Sequence, residues 1–150
     1  MLVWRLSHRA HLAFDGEGGL VQSGRWHRVG VRIIYTSEHL SLAALEFFVN
    51  IGPDEQPVQL AGRSAEIPDD VPRDRLTAAD LPRQWRRIGS TETRDRGMQW
   101  LEQQRTAVLI VPSAVVPQEN NCILNPAHPD FARIRVHKIE PFSFDPRMWK

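Results

Sequence analysis

Glu46 is the side chain whose surroundings least match its type. It stands in Leu42-Ala43-Ala44-Leu45-Glu46-Phe47-Phe48-Val49, and on a helix its same-face neighbours are Leu42, Ala43, Val49 and Asn50. A carboxylate set in an apolar face is costly unless something pairs with it. Two readings stand: a structural ion pair or partly exposed Glu, and a catalytic carboxylate at the wall of a cleft. Arg25 lies in Gly24-Arg25-Trp26-His27. Glycine lets the backbone pass close to a ligand, and an arginine fork can donate two hydrogen bonds to a phosphate. It reads equally as a solvated loop arginine. Tyr35, the sole tyrosine, is either a core aromatic with its hydroxyl at an edge or a residue of the same cleft. Ser113 follows Val111-Pro112 without a Gly-x-Ser-x-Gly elbow, so it reads as a turn serine and not a nucleophile. Asn120, Asn121 and Asn125, with Pro126-Ala127-His128-Pro129, form a polar, turn-rich segment behind it.

Several elements must position these side chains. Segments 2–6 and 30–36 read as strands, the second rich in β-branched and aromatic residues. Ser37 is placed to cap a helix over 38–51 that Gly52-Pro53 stops. A strand over 57–67 is broken at Gly62, and 68–90, with Pro68, Pro72 and Pro82, is irregular. A helix over 91–104 is capped by Ser90 or Thr91 despite Gly97. The apolar run 107–111 predicts a buried strand. Segments 121–125 and 134–144 read as further strands, the last interrupted by Pro141. The order predicts one compact α+β domain over 1–150, a mixed sheet with flanking helices.

The composition narrows the function. The chain has 150 residues, 41% of them apolar, enough for one core. Nineteen Lys and Arg against 18 Asp and Glu leave a formal charge of +1, which argues against a broad nucleic-acid surface. Cys122 is the only cysteine, so no internal disulfide forms and a reducing, cytoplasmic setting fits. The opening Met1-Leu2-Val3-Trp4-Arg5 lacks a signal peptide's apolar region, and no run approaches a membrane helix. His8-x-x-His11 lacks further ligands at metal-site spacing, so no metal is expected. Asp15-Gly16-Glu17-Gly18-Gly19 satisfies neither a Rossmann fingerprint nor a P-loop. The pairs Arg86-Arg87 and Arg94/Arg96 read as solvated surface, with an acidic partner as the alternative.

Together the motifs resemble the RES family. Trp4-Arg5 stands on the first strand, and Gly24-Arg25-Trp26-His27-Arg28-Val29-Gly30 follows. Tyr35-Thr36-Ser37, Ala43-Ala44-Leu45-Glu46 and Val111-Pro112-Ser113 come next, and then Asn121-Cys122-Ile123-Leu124-Asn125-Pro126-Ala127-His128-Pro129-Asp130-Phe131. The resemblance implies a compact, ADP-ribosyltransferase-like fold with a split sheet and NAD as substrate in a cleft between strands. It implies a bacterial toxin held by an Xre-type antitoxin that covers that cleft. It also implies cleavage of the nicotinamide–ribose bond, with hydrolysis or phosphorolysis depleting NAD. Transfer of ADP-ribose to a host metabolic enzyme is the alternative. On this basis Glu46 stabilises positive charge on the ribose. Arg5 and Arg25 hold the diphosphate, with a hydrogen bond donated by Ser113, Tyr35 stacks on nicotinamide or ribose, and Asn125 lines the cleft. A non-catalytic interaction domain, with Glu46 and the arginines as structural ion pairs, is the reading of another class.

Overall fold

Seven extended segments build one continuous sheet. The computed structural model describes residues 1–149. Strands β1 (Leu2–His8), β2 (Ile34–Ser37), β3 (Leu60–Glu66), β4 (Arg73–Arg75), β5 (Val108–Pro112), β6 (Asn120–Leu124) and β7 (Arg135–Phe142) lie in the order β4-β5-β6-β2-β1-β3-β7. Only β4 and β5 pair in parallel; the other neighbours are antiparallel, so the sheet is mixed. The helices are α1 (Gly18–Val21), α2 (Leu40–Asn50) and α3 (Thr91–Gln103). No helix among the described residues is long and apolar enough to cross a membrane.

The two faces of the sheet are covered differently. Val108 and Ile110 of β5, Cys122 and Leu124 of β6 and Ile34 of β2 point into one core with Val3, Phe14, Ile67 and Val71. Leu109, Val111 and Ile123 point the other way, against Trp26, Trp85, Trp100 and Leu101, with Tyr35 at the margin. That alternation is the period of two expected of strands covered on both sides. Ala43 and Ala44 seat α2 on the same face, against Leu6 and Leu60. Strand β1 follows β3 from Leu2↔Glu66 to His8↔Leu60 but meets β2 at Trp4↔Ser37 alone. The sheet therefore splays between β1 and β2, beside the start of α2.

Several local expectations are corrected. Ser37 is the last residue of β2 and not a helix cap; His39 occupies the cap position of α2 and makes no capping hydrogen bond. Gly62 does not break β3: a Cβ there would come within 3.3 Å of Leu40 and 3.8 Å of Trp4, so the glycine makes room for the start of α2. Pro141 does not interrupt β7, where it pairs with Ala61 on an edge strand, the position that tolerates a missing N–H. Part of the irregular 68–90 stretch is ordered as β4.

Ser90 caps α3, its hydroxyl accepting the Thr93 N–H at 3.5 Å. Gly97 sits in the middle of this helix because a Cβ there would overlap the Trp26 carbonyl. The closest approach of helix and loop thus falls one residue from Arg25. A helix-interior Gly→Ala change ordinarily gains about 1 kcal/mol. Here overpacking reverses the sign, and Gly97→Ala is expected to cost about 2 kcal/mol and lower the melting temperature by roughly 4–8 °C. An unchanged or raised melting temperature would show that the loop does not rest on this glycine.

Candidate active site

Glu46 projects from α2 to the ends of β5 and β6. Its Oε1 accepts the Ser113 hydroxyl at 2.8 Å and the Asn121 side-chain amide at 2.7 Å. Asn121 is itself oriented by Ser37, whose hydroxyl donates to its Oδ1 at 2.8 Å across the Ser37↔Asn121 register pair. Ser113 is fully buried, and its oxygen accepts the N–H groups of Val115 and Val116 at 3.0 and 3.1 Å. Its single proton is thereby aimed at Glu46. The sequence reading gives that proton to a diphosphate; in the structure the carboxylate holds it. Among the described residues Glu46 Oε2 has no hydrogen-bond partner, so one carboxylate oxygen is fixed and the other is open.

Arg25 belongs to the same neighbourhood. Burial lowers its affinity for a proton, and the negative charge of Glu46 is the largest influence raising it again, followed by Tyr35. Its Nη1 donates to the Trp85 and Arg87 carbonyls at 2.7 and 3.1 Å, and its Nη2 to the Arg86 carbonyl at 3.2 Å. Three of five N–H groups are spent on the backbone, leaving Nε–H and one Nη2–H. Arg86 and Arg94 add their charge to that of Arg25. Each is anchored through Nε alone, Arg86 to the Ala114 carbonyl at 3.0 Å and Arg94 to the Gly24 carbonyl at 3.0 Å. Their Nη groups make no hydrogen bond among the described residues. Arg86 is exposed, as the sequence suggests, and Arg94 is half-buried. The structure brings Arg86 and Arg94 into electrostatic reach of Arg25, and Arg25 into reach of Glu46, an arrangement suited to an anionic ligand.

Tyr35 reaches Arg25 by its loop. Its hydroxyl lies 3.1 Å from the Trp26 N–H and 2.7 Å from His27 Nδ1, and desolvation pushes its acidity down, its pKa well above the ordinary value. A Cβ on Gly24 would come within 2.6 Å of that oxygen, which accounts for the glycine before Arg25.

The remaining residues fall elsewhere. Alternation along β1 puts Arg5 on the sheet side of Val3 and of its cross-strand partner Arg63, while Trp4 and Leu6 face α2. Arg5 is desolvated, and its Nη1 donates to the Tyr35 carbonyl at 3.3 Å across the splay. No bond links it to Glu46. Asn125 lies at the far end of β6 from Asn121, about 13 Å along a strand of this rise. It is fully buried and works on its own turn, its Oδ1 accepting the Ala127 N–H at 3.0 Å. Cys122 is buried, and desolvation raises its thiol to about 12, which excludes a thiolate nucleophile. Among the described residues, potential metal ligands converge at Glu38, His39 and Glu119, within 4.8 Å of one another. Glu38 Oε1 already accepts the Asn120 N–H at 2.9 Å, and His39 and Glu119 meet at 3.7 Å.

Comparison with known proteins assigns this arrangement to a family. The RES domain model matches residues 2–145. The chain belongs to the RES domain family. Similar relatives include the Prs ADP-ribosylating toxin of Sphingobium sp. (strain YBL2), 37% identical over 97% of this chain and 94% of that one. Toxin Res of Photorhabdus laumondii is 38% identical over 100% of this chain and 98% of that one. The fold of this RES domain is similar to a chain in the crystal structure of the M. tuberculosis MbcT–MbcA toxin–antitoxin complex. The TM-score is 0.74 at 15% identity, over 98% of this chain and 85% of that one. The expected α+β architecture is therefore shown.

Proposed function

We propose that this RES domain is the toxin of a toxin–antitoxin pair and that it breaks the nicotinamide–ribose bond of NAD. The observation that carries the reading is Glu46: one carboxylate oxygen locked by Ser113 and Asn121, the other open, with Arg25 in electrostatic reach and Arg86 and Arg94 beside Arg25. The names of the Toxin Res relatives support the toxin role. The toxin–antitoxin complex with the same fold supports an antitoxin partner; its expected class is an Xre-type protein that covers the cleft.

The donor set suits NAD. The free N–H groups of Arg25, Arg86 and Arg94 match a diphosphate, whose two negative charges the arginines more than offset. When the bond from the ribose carbon to the nicotinamide nitrogen breaks, the electron pair leaves with nicotinamide, which departs neutral. Positive charge develops on the ribose, as in glycoside cleavage. The open oxygen of Glu46 is then the group that stabilises it, already oriented before the reaction. The Tyr35 hydroxyl is committed to Trp26 and His27, so its ring, and not its proton, is what it offers the substrate. An acceptor oxygen forms the new bond to the ribose carbon and releases its proton.

Water or phosphate as acceptor depletes NAD. A protein side chain as acceptor makes the chain a mono-ADP-ribosyltransferase, a second reading favoured by the name of the Sphingobium relative. NAD labelled in its adenylate half separates them. Free labelled ADP-ribose or its phosphate from the pure protein supports depletion, and label carried on a protein band supports transfer. Intact NAD under both conditions would remove the enzymatic reading.

A further inference from the structure

His27 has a job that neither the family assignment nor the residues named above gives it. It is buried, with 3% of its surface exposed, in the turn that carries Arg25. Its Nε2 lies 2.8 Å from the Gln22 carbonyl and its Nδ1 lies 2.7 Å from the Tyr35 hydroxyl. A carbonyl only accepts, so Nε2 must carry a proton. A neutral imidazole then presents a bare lone pair at Nδ1, and the group facing it must donate. That donor is the Tyr35 O–H. The same oxygen accepts the Trp26 N–H at 3.1 Å, so every bond in the chain Gln22–His27–Tyr35–Trp26 has a fixed direction. The Gly24 carbonyl, on the same turn, is held from the other side by Arg94.

We infer that His27 is a positioning residue: as the Nε2–H tautomer it holds the Tyr35 hydroxyl as a donor, fixes the 22–27 turn, and so aims Arg25 toward Glu46. This rests on the reading that Arg25 faces the substrate. A second proton on His27 would work against the arrangement. It would place a donor opposite the Tyr35 oxygen, which already accepts from Trp26, and leave the buried hydroxyl proton without its acceptor. The new charge would stand beside the charged and titratable groups that face it, Arg94 from α3 and Tyr35 from β2. Burial, with Arg94 adding to it, holds His27 neutral below its ordinary range, and the Gln22 and Gly19 carbonyls oppose this in part. The sign follows. Above the ordinary histidine value of about 6.5 the neutral ring costs nothing. As pH falls below it, the unfolded chain takes up a proton that the folded one resists, so stability is lost on the acid side, and Arg25 alignment is lost further down, where folded His27 itself takes the proton.

Imidazole 15N spectra of the full chain test the tautomer without reference to NAD. The expected result at neutral pH is a protonated Nε2 and a bare Nδ1, with a titration midpoint below about 6.5. A protonated Nδ1, or a midpoint at or above that value, overturns the inference. The coupling to Arg25 is tested with His27→Leu and with His27→Asn, whose side-chain oxygen replaces the Nδ1 acceptor. The KM for NAD should rise about tenfold in the first, the equivalent of one lost hydrogen bond, be largely restored in the second, and exceed any change in kcat. A folded His27→Leu protein with an unchanged KM overturns the coupling. If His27→Leu does not fold, the wild-type KM must rise as pH falls through the spectroscopic midpoint, and a flat profile overturns the coupling instead. If the wild type consumes no NAD, the functional reading fails alone. The Arg25 Nε–H signal then decides: sharp in the wild type and broadened by His27 protonation supports the positioning role, and unchanged on protonation overturns it.

Discussion

Glu46→Gln should abolish NAD consumption and growth inhibition while leaving the fold intact. Glutamine keeps the length of the side chain and a carbonyl oxygen able to accept from both Ser113 and Asn121, so the network at the ends of β5 and β6 survives. What disappears is the negative charge next to a developing cation. A pre-oriented charge of this kind is worth on the order of 3–4 kcal/mol, or a loss of roughly 10²–10³-fold in turnover. The melting temperature should move little, because one carboxylate oxygen of the wild type is already unpartnered. Retained toxicity in a stable Glu46→Gln protein would remove the carboxylate from the chemistry.

Arg25→Ala should act on binding. Two things are lost together: the Nε–H and Nη2–H left for a diphosphate, and the three hydrogen bonds that hold the Trp85, Arg86 and Arg87 carbonyls. The second loss also loosens Arg86, so the site loses more than one charge. Bonds to a charged group are worth about 1.5–3 kcal/mol each, and the KM for NAD should rise about 100-fold, with a smaller change in kcat. Arg25→Lys should recover little, because one ammonium group cannot span three carbonyls and a phosphate. Steady-state kinetics on both variants decide the point, and a normal KM in Arg25→Ala would assign the arginine to the loop alone.

The central residue of this site was legible because it violates a local rule. A charged side chain between Leu45 and Phe47, on a helix otherwise seated by Ala43 and Ala44, stands out without any structure. Its partners were not legible. Ser113 and Asn121 lie 67 and 75 positions away, and only the pairing of β2 with β6 makes Ser37, Asn121 and Glu46 neighbours. Arg86 and Arg94 differ from each other. Arg86 is exposed, as a charge in a proline-bounded stretch suggests, whereas Arg94 is half-buried because the Trp26 loop docks against α3 and the Gly24 carbonyl takes its Nε–H. One signal for that docking was present: Gly97 in the middle of a helix is unfavourable unless something passes close to it, and here it is the Trp26 carbonyl. Arg5 is a separate case. The motif places it correctly in sequence, but strand alternation turns it to the side of Val3. The strand limits failed at Gly62 and Pro141 because local breaker rules do not know which position faces a helix and which lies on an edge.

Free nicotinamide released from NAD by the purified chain, followed over time alongside Glu46→Gln at equal concentration, is the most direct test. The account predicts nicotinamide appearing one for one with NAD lost in the wild type, and almost none in the variant. Nicotinamide released at the same rate by both proteins, or none released by a folded wild type, would contradict it.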